Sequence, residues 1–339
     1  MRKLTMALLL ALAAAVVVGC GGASDETDGG DNAAASGGDG SKGSLSLVAY
    51  STPQVVYDEI IPAFTATPEG KGLEFKTSFG ASGDQSRAVE AGQPADVVTF
   101  STEPDMTRLV DANWAEDDHD GFVTNSVVVF AVRKGNPKNI KTWDDIARDD
   151  LEVITPNPFT SGGAKWNLMA AYGSQTEQGK SEEEGLEFLH QVLANTPVQD
   201  KSAREALQTF AGGKGDVLLA YENEAITAQK AGIELDYVVP DQTILIENPV
   251  AVTTESENQE QAKAFVDWLR TPDAQKIYAE KGYRSVLPDL VDAKTYPKPK
   301  TLFEIDAFGG WSEVNDKFFD PENGSVAQIE RDLGVSTAN

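Results

Sequence analysis

The sequence predicts an α/β fold divided into two lobes, and three features carry that expectation. From Ser44 onward, short β-branched runs alternate with amphipathic helical segments, the pattern of parallel sheets connected through helices. Two longer apolar runs, near 125–132 and 243–252, read as strands that cross between the lobes, the first so continuously apolar that it is buried on both faces. Several strands also run directly into a Ser/Gly turn that opens a helix.

Ser44-Leu-Ser-Leu-Val-Ala-Tyr50 opens the fold as a strand, and Ser51-Thr52-Pro53 leads into a helix over 54–64 with proline in its first turn. A strand at 73–78, a helix at 83–91, a strand at 95–100 and a helix at 101–112 follow. Glu116-Asp-Asp-His-Asp120 matches no metal-ligand spacing and reads as a solvated acidic loop. After a strand at 125–133 the chain turns at Gly135-Asn-Pro, and a short helix begins at Trp143. A strand at 152–155 precedes a helix through 164–172. A second helix, 182–194, turns Leu186, Leu189 and Leu193 inward and leaves His190 at or near the surface. A Ser-capped helix at 201–210, strands at 216–220, 236–240 and 243–252, and helices at 257–270 and 272–281 come next. Leu302 to Trp311 and an acidic tail end the chain. Lobe one is then 44–123 plus 247–339, and lobe two 124–246.

Residues 1–19 read as a signal peptide: Arg2 and Lys3, an apolar run from Leu4 to Val18, then small residues. The run is short for a membrane span, which needs about 20 residues. Val17-Val18-Gly19-Cys20 resembles the lipobox of bacterial lipoproteins, with Cys20 as the lipidated residue. Residues 20–43, rich in Gly, Ser, Asp and Ala, form a flexible tether. Cys20 is the single cysteine, which excludes disulfides, cysteine metal clusters and a thiol nucleophile inside the fold.

The chain carries 54 acidic and 28 basic residues, a net charge of −26. That balance argues against nucleic acid, whose phosphates demand a basic surface. It does not exclude a small anion, because exposed charges are screened beyond about 8–10 Å. Oriented dipoles in a closed cleft can outweigh them, although the acidic field slows encounter at low salt.

Such dipoles are legible in two stretches. In Ile154-Thr-Pro-Asn-Pro-Phe-Thr-Ser-Gly-Gly-Ala-Lys-Trp-Asn167, Thr160 or Ser161 stands where a helix begins, with two glycines in its first turn. The first amides of a helix lack partners within it and bear partial positive charge, and glycine lets an anion approach them. An ordinary serine cap would give the same local pattern. Phe79-Gly-Ala-Ser-Gly-Asp84 repeats the logic, which suggests an anion held between two helix starts.

Gly80-Ala-Ser-Gly-Asp-Gln-Ser-Arg-Ala-Val89, Ala95-Asp-Val-Val-Thr99, Val132-Arg-Lys-Gly-Asn-Pro-Lys138, Val153-Ile-Thr-Pro-Asn-Pro158 with Thr160-Ser-Gly-Gly-Ala-Lys-Trp-Asn167, Gly215-Asp-Val-Leu-Leu-Ala-Tyr-Glu-Asn-Glu224 and Phe308-Gly-Gly-Trp311 resemble the sulfate/thiosulfate-binding proteins of bacterial ABC importers. The resemblance runs in order from about 45 to 330. It implies a two-lobed type II periplasmic-binding-protein fold, each lobe a mainly parallel sheet flanked by helices, with two crossover strands. It also implies sulfate held without counter-charge by backbone amides of Ser51, Ser82, Gly162, Gly163 and Ala203 and by the Ser161 hydroxyl. Tyr221 takes the place of the family's tryptophan donor. Ser51 replaces an acidic residue there, and Asp84 stands where lysine is frequent. The Tyr221 hydroxyl can donate or accept, and so could tolerate a protonated oxyanion.

The expectation is therefore a monomeric extracytoplasmic receptor, anchored by its lipid, that hands sulfate or thiosulfate to a membrane permease driven by an ATPase. No cofactor or metal is expected. Phosphate, molybdate or tungstate is the alternative ligand. A hydrolase is disfavoured, since Asp84 breaks the Gly-x-Ser-x-Gly elbow and neither histidine lies near a Ser/Asp pattern. With no titrating donor in the site, sulfate affinity is expected to be flat between about pH 5 and 8.

Overall fold

A computed structural model describes residues 43–116 and 121–337. The signal peptide at 1–19, Cys20, nearly all of the tether at 20–43 and most of the acidic loop at 116–120 lie outside the described residues.

The chain begins with β1 (Gly43–Tyr50), α1 (Gln54–Thr65), β2 (Leu73–Gly80), α2 (Ser82–Glu90), β3 (Val97–Thr99) and α3 (Glu103–Asp111). It continues through β4 (Phe122–Arg133), α4 (Trp143–Ile146), β5 (Val153–Ile154), α5 (Gly162–Thr176), α6 (Glu182–Ala194) and α7 (Ala203–Ala211). Then come β6 (Val217–Tyr221), α8 (Glu222–Lys230), β7 (Leu235–Val238), β8 (Gln242–Val252), α9 (Gln259–Leu269) and α10 (Pro272–Glu280). The end is built from β9 (Thr301–Phe303), α11 (Gly310–Val314) and α12 (Ser325–Asp332).

The strands join in the order β2-β1-β3-β8-β4-β6-β5, with β7 on β4 and β9 on β8. Pairing is parallel at β2–β1–β3 and at β5–β6, where helices make the connections. The long strands β4 and β8 run antiparallel to each other, Asn125 opposite Glu247. Beyond that shared stretch β8 pairs with β3 and β4 with β6. Each therefore spans both halves, as expected of crossover strands. The residues of β4 from Val127 to Val132 are all buried, which is why the strand reads as continuously apolar.

β3 is shorter than the strand expected at 95–100. At Asp96 the side chain joins the pairing: its Oδ2 accepts the Ser46 amide at 2.6 Å and its Oδ1 the Ser256 hydroxyl at 2.6 Å, while its own amide donates to the Ser46 carbonyl at 2.8 Å. One core gathers Leu47, Tyr57, Phe64, Phe265 and Tyr278 on one half, while Phe130, Trp143, Trp166 and Phe188 anchor a core on the other. The C-terminal segment joins the second. Phe303, Trp311, Phe318, Phe319 and Val326 pack there, whereas the sequence grouping sets 247–339 with 44–123. Trp166 meets Trp311 edge-on at 4.6 Å. The expected acidic tail includes α12, which buries Val326 and Ala327. Val326, Ile329 and Leu333 recur there at helical spacing between Gly324 and Gly334.

A buried ion pair ties α8 to the segment after α10. Arg284 donates Nε to Glu222 Oε2 at 2.7 Å and Nη2 to Oε1 at 3.1 Å, and Glu222 is fully buried. Arg284 also exchanges backbone hydrogen bonds with Asn125 at the head of β4. Removing one partner strands the other without compensation. Arg284→Ala should cost about 3–5 kcal/mol in urea unfolding, and replacing both residues by apolar ones should cost less. A loss below about 1 kcal/mol would show the pair to be structurally idle.

Candidate functional site

The ends of β1, β2, β3 and β6 and the turn after β5 lead into helix starts that meet. Gly83, in the first turn of α2, donates its amide to the Thr160 carbonyl at 3.0 Å, so the two Ser/Gly turns abut. The Ser82 hydroxyl donates to Asp105 Oδ2 at 2.6 Å and accepts the Ser101 amide at 2.9 Å. The Thr102 hydroxyl reaches the same Asp105 oxygen at 3.0 Å.

Ser101 is the meeting point. Its carbonyl accepts Trp166 Nε1 of α5 at 2.7 Å and Asn248 Nδ2 of β8 at 3.0 Å. Its hydroxyl lies 2.5 Å from the Tyr221 hydroxyl, with either oxygen able to donate. Burial holds the Tyr221 hydroxyl well above its usual pKa, so it keeps its proton.

Ser161 is the N-cap of α5 in extended conformation, and its hydroxyl makes no capping bond to its own helix. Ser202 and Ser181 differ: their hydroxyls accept the amides of Glu205 and Glu184, each at 3.2 Å. The α5 hydroxyl is thus the uncommitted one of the three. A Cβ built on Gly163 would stand 3.4 Å from Ser161 Oγ, 3.6 Å from Ala203 Cβ and 3.7 Å from Tyr221 Cε1. Those four residues line one spot. Arg204 of α7 extends Nη2 to the carbonyls of Ser51 and Thr52, each at 3.4 Å, which brings the end of β1 to the same place. Ser51, Ser82, Ser161, Gly162, Gly163 and Tyr221 are buried and Ala203 is half-buried. All seven residues named from the sequence are therefore drawn into one cluster. Asp84 is not: it is exposed and ion-paired with Arg87 at 2.5 Å.

Three further residues belong to the cluster and were not singled out as site residues from the sequence: Ser101, Asp105 and Arg204. Ser101 carried the same signal as Ser82, a serine between a strand and a helix. Glu224 occupies the first turn of α8. Burial raises its carboxyl pKa to about 7, against the opposing pull of Arg204 and the Tyr221 amide. Among the described residues no three His, Cys, Asp or Glu side chains gather as metal ligands.

The two glycines of α5 are not equivalent. A Cβ on Gly162 would fall 2.8 Å from Ser101 Cβ and 3.0 Å from Thr102 Cγ2, whereas Gly163 has ordinary contact distances. Gly162→Ala should therefore lose about 1–3 kcal/mol of stability in urea unfolding, with Gly163→Ala nearly neutral. Equal effects would mean that the Ser101 segment does not press on α5.

The model of the bacterial extracellular solute-binding protein family matches residues 45–284. The sulfate-binding protein of Synechococcus elongatus is 40% identical over 328 residues, covering 91% of each chain. The thiosulfate-binding protein of Escherichia coli K12 is 36% identical over 266 residues, covering 72% of this chain and 78% of that one. The solved sulfate-binding protein SubI from Mycobacterium tuberculosis H37Rv is 44% identical with a TM-score of 0.80, covering 82% of this chain and 99% of its own. These relatives are named as binding proteins, not enzymes. The resemblance read from the motifs is borne out, and the fold is the type II periplasmic-binding arrangement. The chain belongs to the bacterial extracellular solute-binding protein family and works outside the cytoplasm.

Proposed function

We propose that this protein captures sulfate, or thiosulfate, between two lobes and delivers it to the permease of an ABC importer. The observation that carries the reading is the junction of α2 and α5, where the Gly83 amide meets the Thr160 carbonyl beside an uncommitted Ser161 hydroxyl. Backbone amides at the starts of α2, α5 and α7 are the donors, together with that hydroxyl; Ser51 adds its amide, and Tyr221 a hydroxyl. A doubly charged oxyanion buried there needs no counter-ion if donors surround it. Each charge-assisted hydrogen bond contributes on the order of 1.5–3 kcal/mol, so several suffice for micromolar binding after association costs. The names of the relatives support the same ligand class.

The lobes, 44–123 with the start of the returning chain and 124–246, close by a hinge through β4 and β8. The protein acts as a monomeric lipoprotein held at the membrane through Cys20, without enzymatic activity, and its partners are the permease and its ATPase. A second reading keeps the role and changes the ligand. The Tyr221–Ser101 hydroxyl pair can supply an acceptor, which a protonated oxyanion such as hydrogen phosphate requires.

Calorimetry against sulfate, thiosulfate, phosphate and molybdate separates these readings, with sulfate or thiosulfate expected tightest. Ser161→Ala should weaken sulfate binding by about 1–2 kcal/mol. An unchanged titration curve would remove Ser161 from the site.

A further inference from the structure

One hydrogen bond at the cluster has two possible directions. The hydroxyl oxygens of Ser101 and Tyr221 lie 2.5 Å apart, and either can donate. Each residue is 1% exposed, and among the described residues neither hydroxyl has another partner. Two hydroxyls that meet form one bond from two protons, so one proton is left over. Where that proton points decides whether the pair offers a ligand a donor or an acceptor.

Ser101 is held on every other side. Its amide donates to Ser82 Oγ at 2.9 Å, and its carbonyl takes Trp166 Nε1 at 2.7 Å and Asn248 Nδ2 at 3.0 Å. The Ser82 hydroxyl donates in turn to Asp105 Oδ2 at 2.6 Å, which ties Ser101 to α3. A Cβ on Gly162 would fall 2.8 Å from Ser101 Cβ, so α5 closes over the residue. Tyr221 faces the next glycine. A Cβ on Gly163 would lie 3.7 Å from Tyr221 Cε1, the ring carbon beside the one that bears the hydroxyl, and 3.4 Å from Ser161 Oγ. Tyr221 therefore lines the anion spot, and Ser101 touches Tyr221.

We propose that Ser101 is a positioning residue: across the cleft its hydroxyl donates to the Tyr221 oxygen, which turns the Tyr221 proton toward the bound oxyanion and occupies the oxygen that a ligand's own proton would need. This rests on the oxyanion reading above. The opposite order leaves a proton stranded. Were Tyr221 to donate to Ser101, the Ser101 proton would be buried with no acceptor among the described residues, and the anion would lose a donor. With Ser101 donating, the left-over proton is the one beside the anion, and each bond polarises the next. Burial keeps Tyr221 protonated, so it has that proton to give. Ser101 belongs to the first lobe and Tyr221 to the second, so the bond forms as the lobes close and its loss is felt in affinity. The arrangement favours an anion that brings no proton over hydrogen phosphate, which has the same double charge and one proton more.

The test is calorimetric titration of the whole protein with sulfate and with phosphate at about pH 8, where phosphate is chiefly the hydrogen phosphate dianion. Phosphate is read by its displacement of sulfate where its own heat is too small. Ser101→Ala should weaken sulfate binding about three- to tenfold. It should also narrow the sulfate-to-phosphate ratio, because the Tyr221 oxygen becomes free to accept. In a Tyr221→Phe background the same substitution should change sulfate affinity by less than about twofold, since the two hydroxyls act as one unit. Ser101→Cys, a weaker donor of similar shape, should fall between serine and alanine, and it serves in place of alanine should that variant fold poorly. Unchanged or tighter sulfate binding in Ser101→Ala overturns this inference alone; tighter binding would mean that Tyr221 donates to Ser101. So does a loss of equal size with and without the Tyr221 hydroxyl, or an unaltered sulfate-to-phosphate ratio. Absence of sulfate binding in the unsubstituted protein overturns the oxyanion reading and this inference with it.

Discussion

Several helix starts cannot be brought together in a buried place unless something takes up their amides and balances their partial positive charge, on the order of half a unit each. That constraint shapes the centre of this protein. The Thr160 carbonyl meets the Gly83 amide, Asp105 receives the hydroxyls of Ser82 and Thr102, and the Ser101 carbonyl takes both Trp166 and Asn248. Ser161 Oγ, Ala203 and Tyr221 stand around one spot at Gly163. Gly162 has no side chain because Ser101 and Thr102 fill the space one would need.

The strongly acidic composition is compatible with anion binding because its charges are kept away from that spot or occupied. The first turn of α5 contains no acidic residue. Asp84 is tied to Arg87 at the surface, and Asp105 is engaged by hydroxyls. Exposed carboxylates elsewhere act through water and salt and fade within about a Debye length, whereas the dipoles of the helix starts act at contact. Glu224, buried in the first turn of α8, is the exception, and burial answers it by favouring the proton.

The scaffold holds this geometry through two long strands and one ion pair. β4 and β8 lie side by side where the halves join and part toward separate sheets beyond. Arg284 holds Glu222 on the helix that begins at Tyr221, while its backbone pairs with Asn125 of β4. The position of Tyr221 therefore depends on both the strand framework and a buried charge pair made by the next residue, Glu222.

The order of strands and helices could be read from the sequence because apolar periodicity and serine, glycine or proline punctuation are local properties. The seven clustered residues were named from the resemblance, and each stands where a strand ends or a helix begins. The allegiance of the C-terminal segment was not legible: Phe303, Phe308, Trp311, Phe318 and Phe319 follow no helical or strand period, and which core they enter is decided by what the rest of the chain leaves uncovered. Nor were Ser101, Asp105 and Arg204 singled out for the site, because their roles lie in contacts between distant segments. By itself the sequence determined where amides would be left without helical partners. Only the tertiary structure decided that these amides converge, because burial and long-range proximity are properties of the packed chain rather than of any stretch of it.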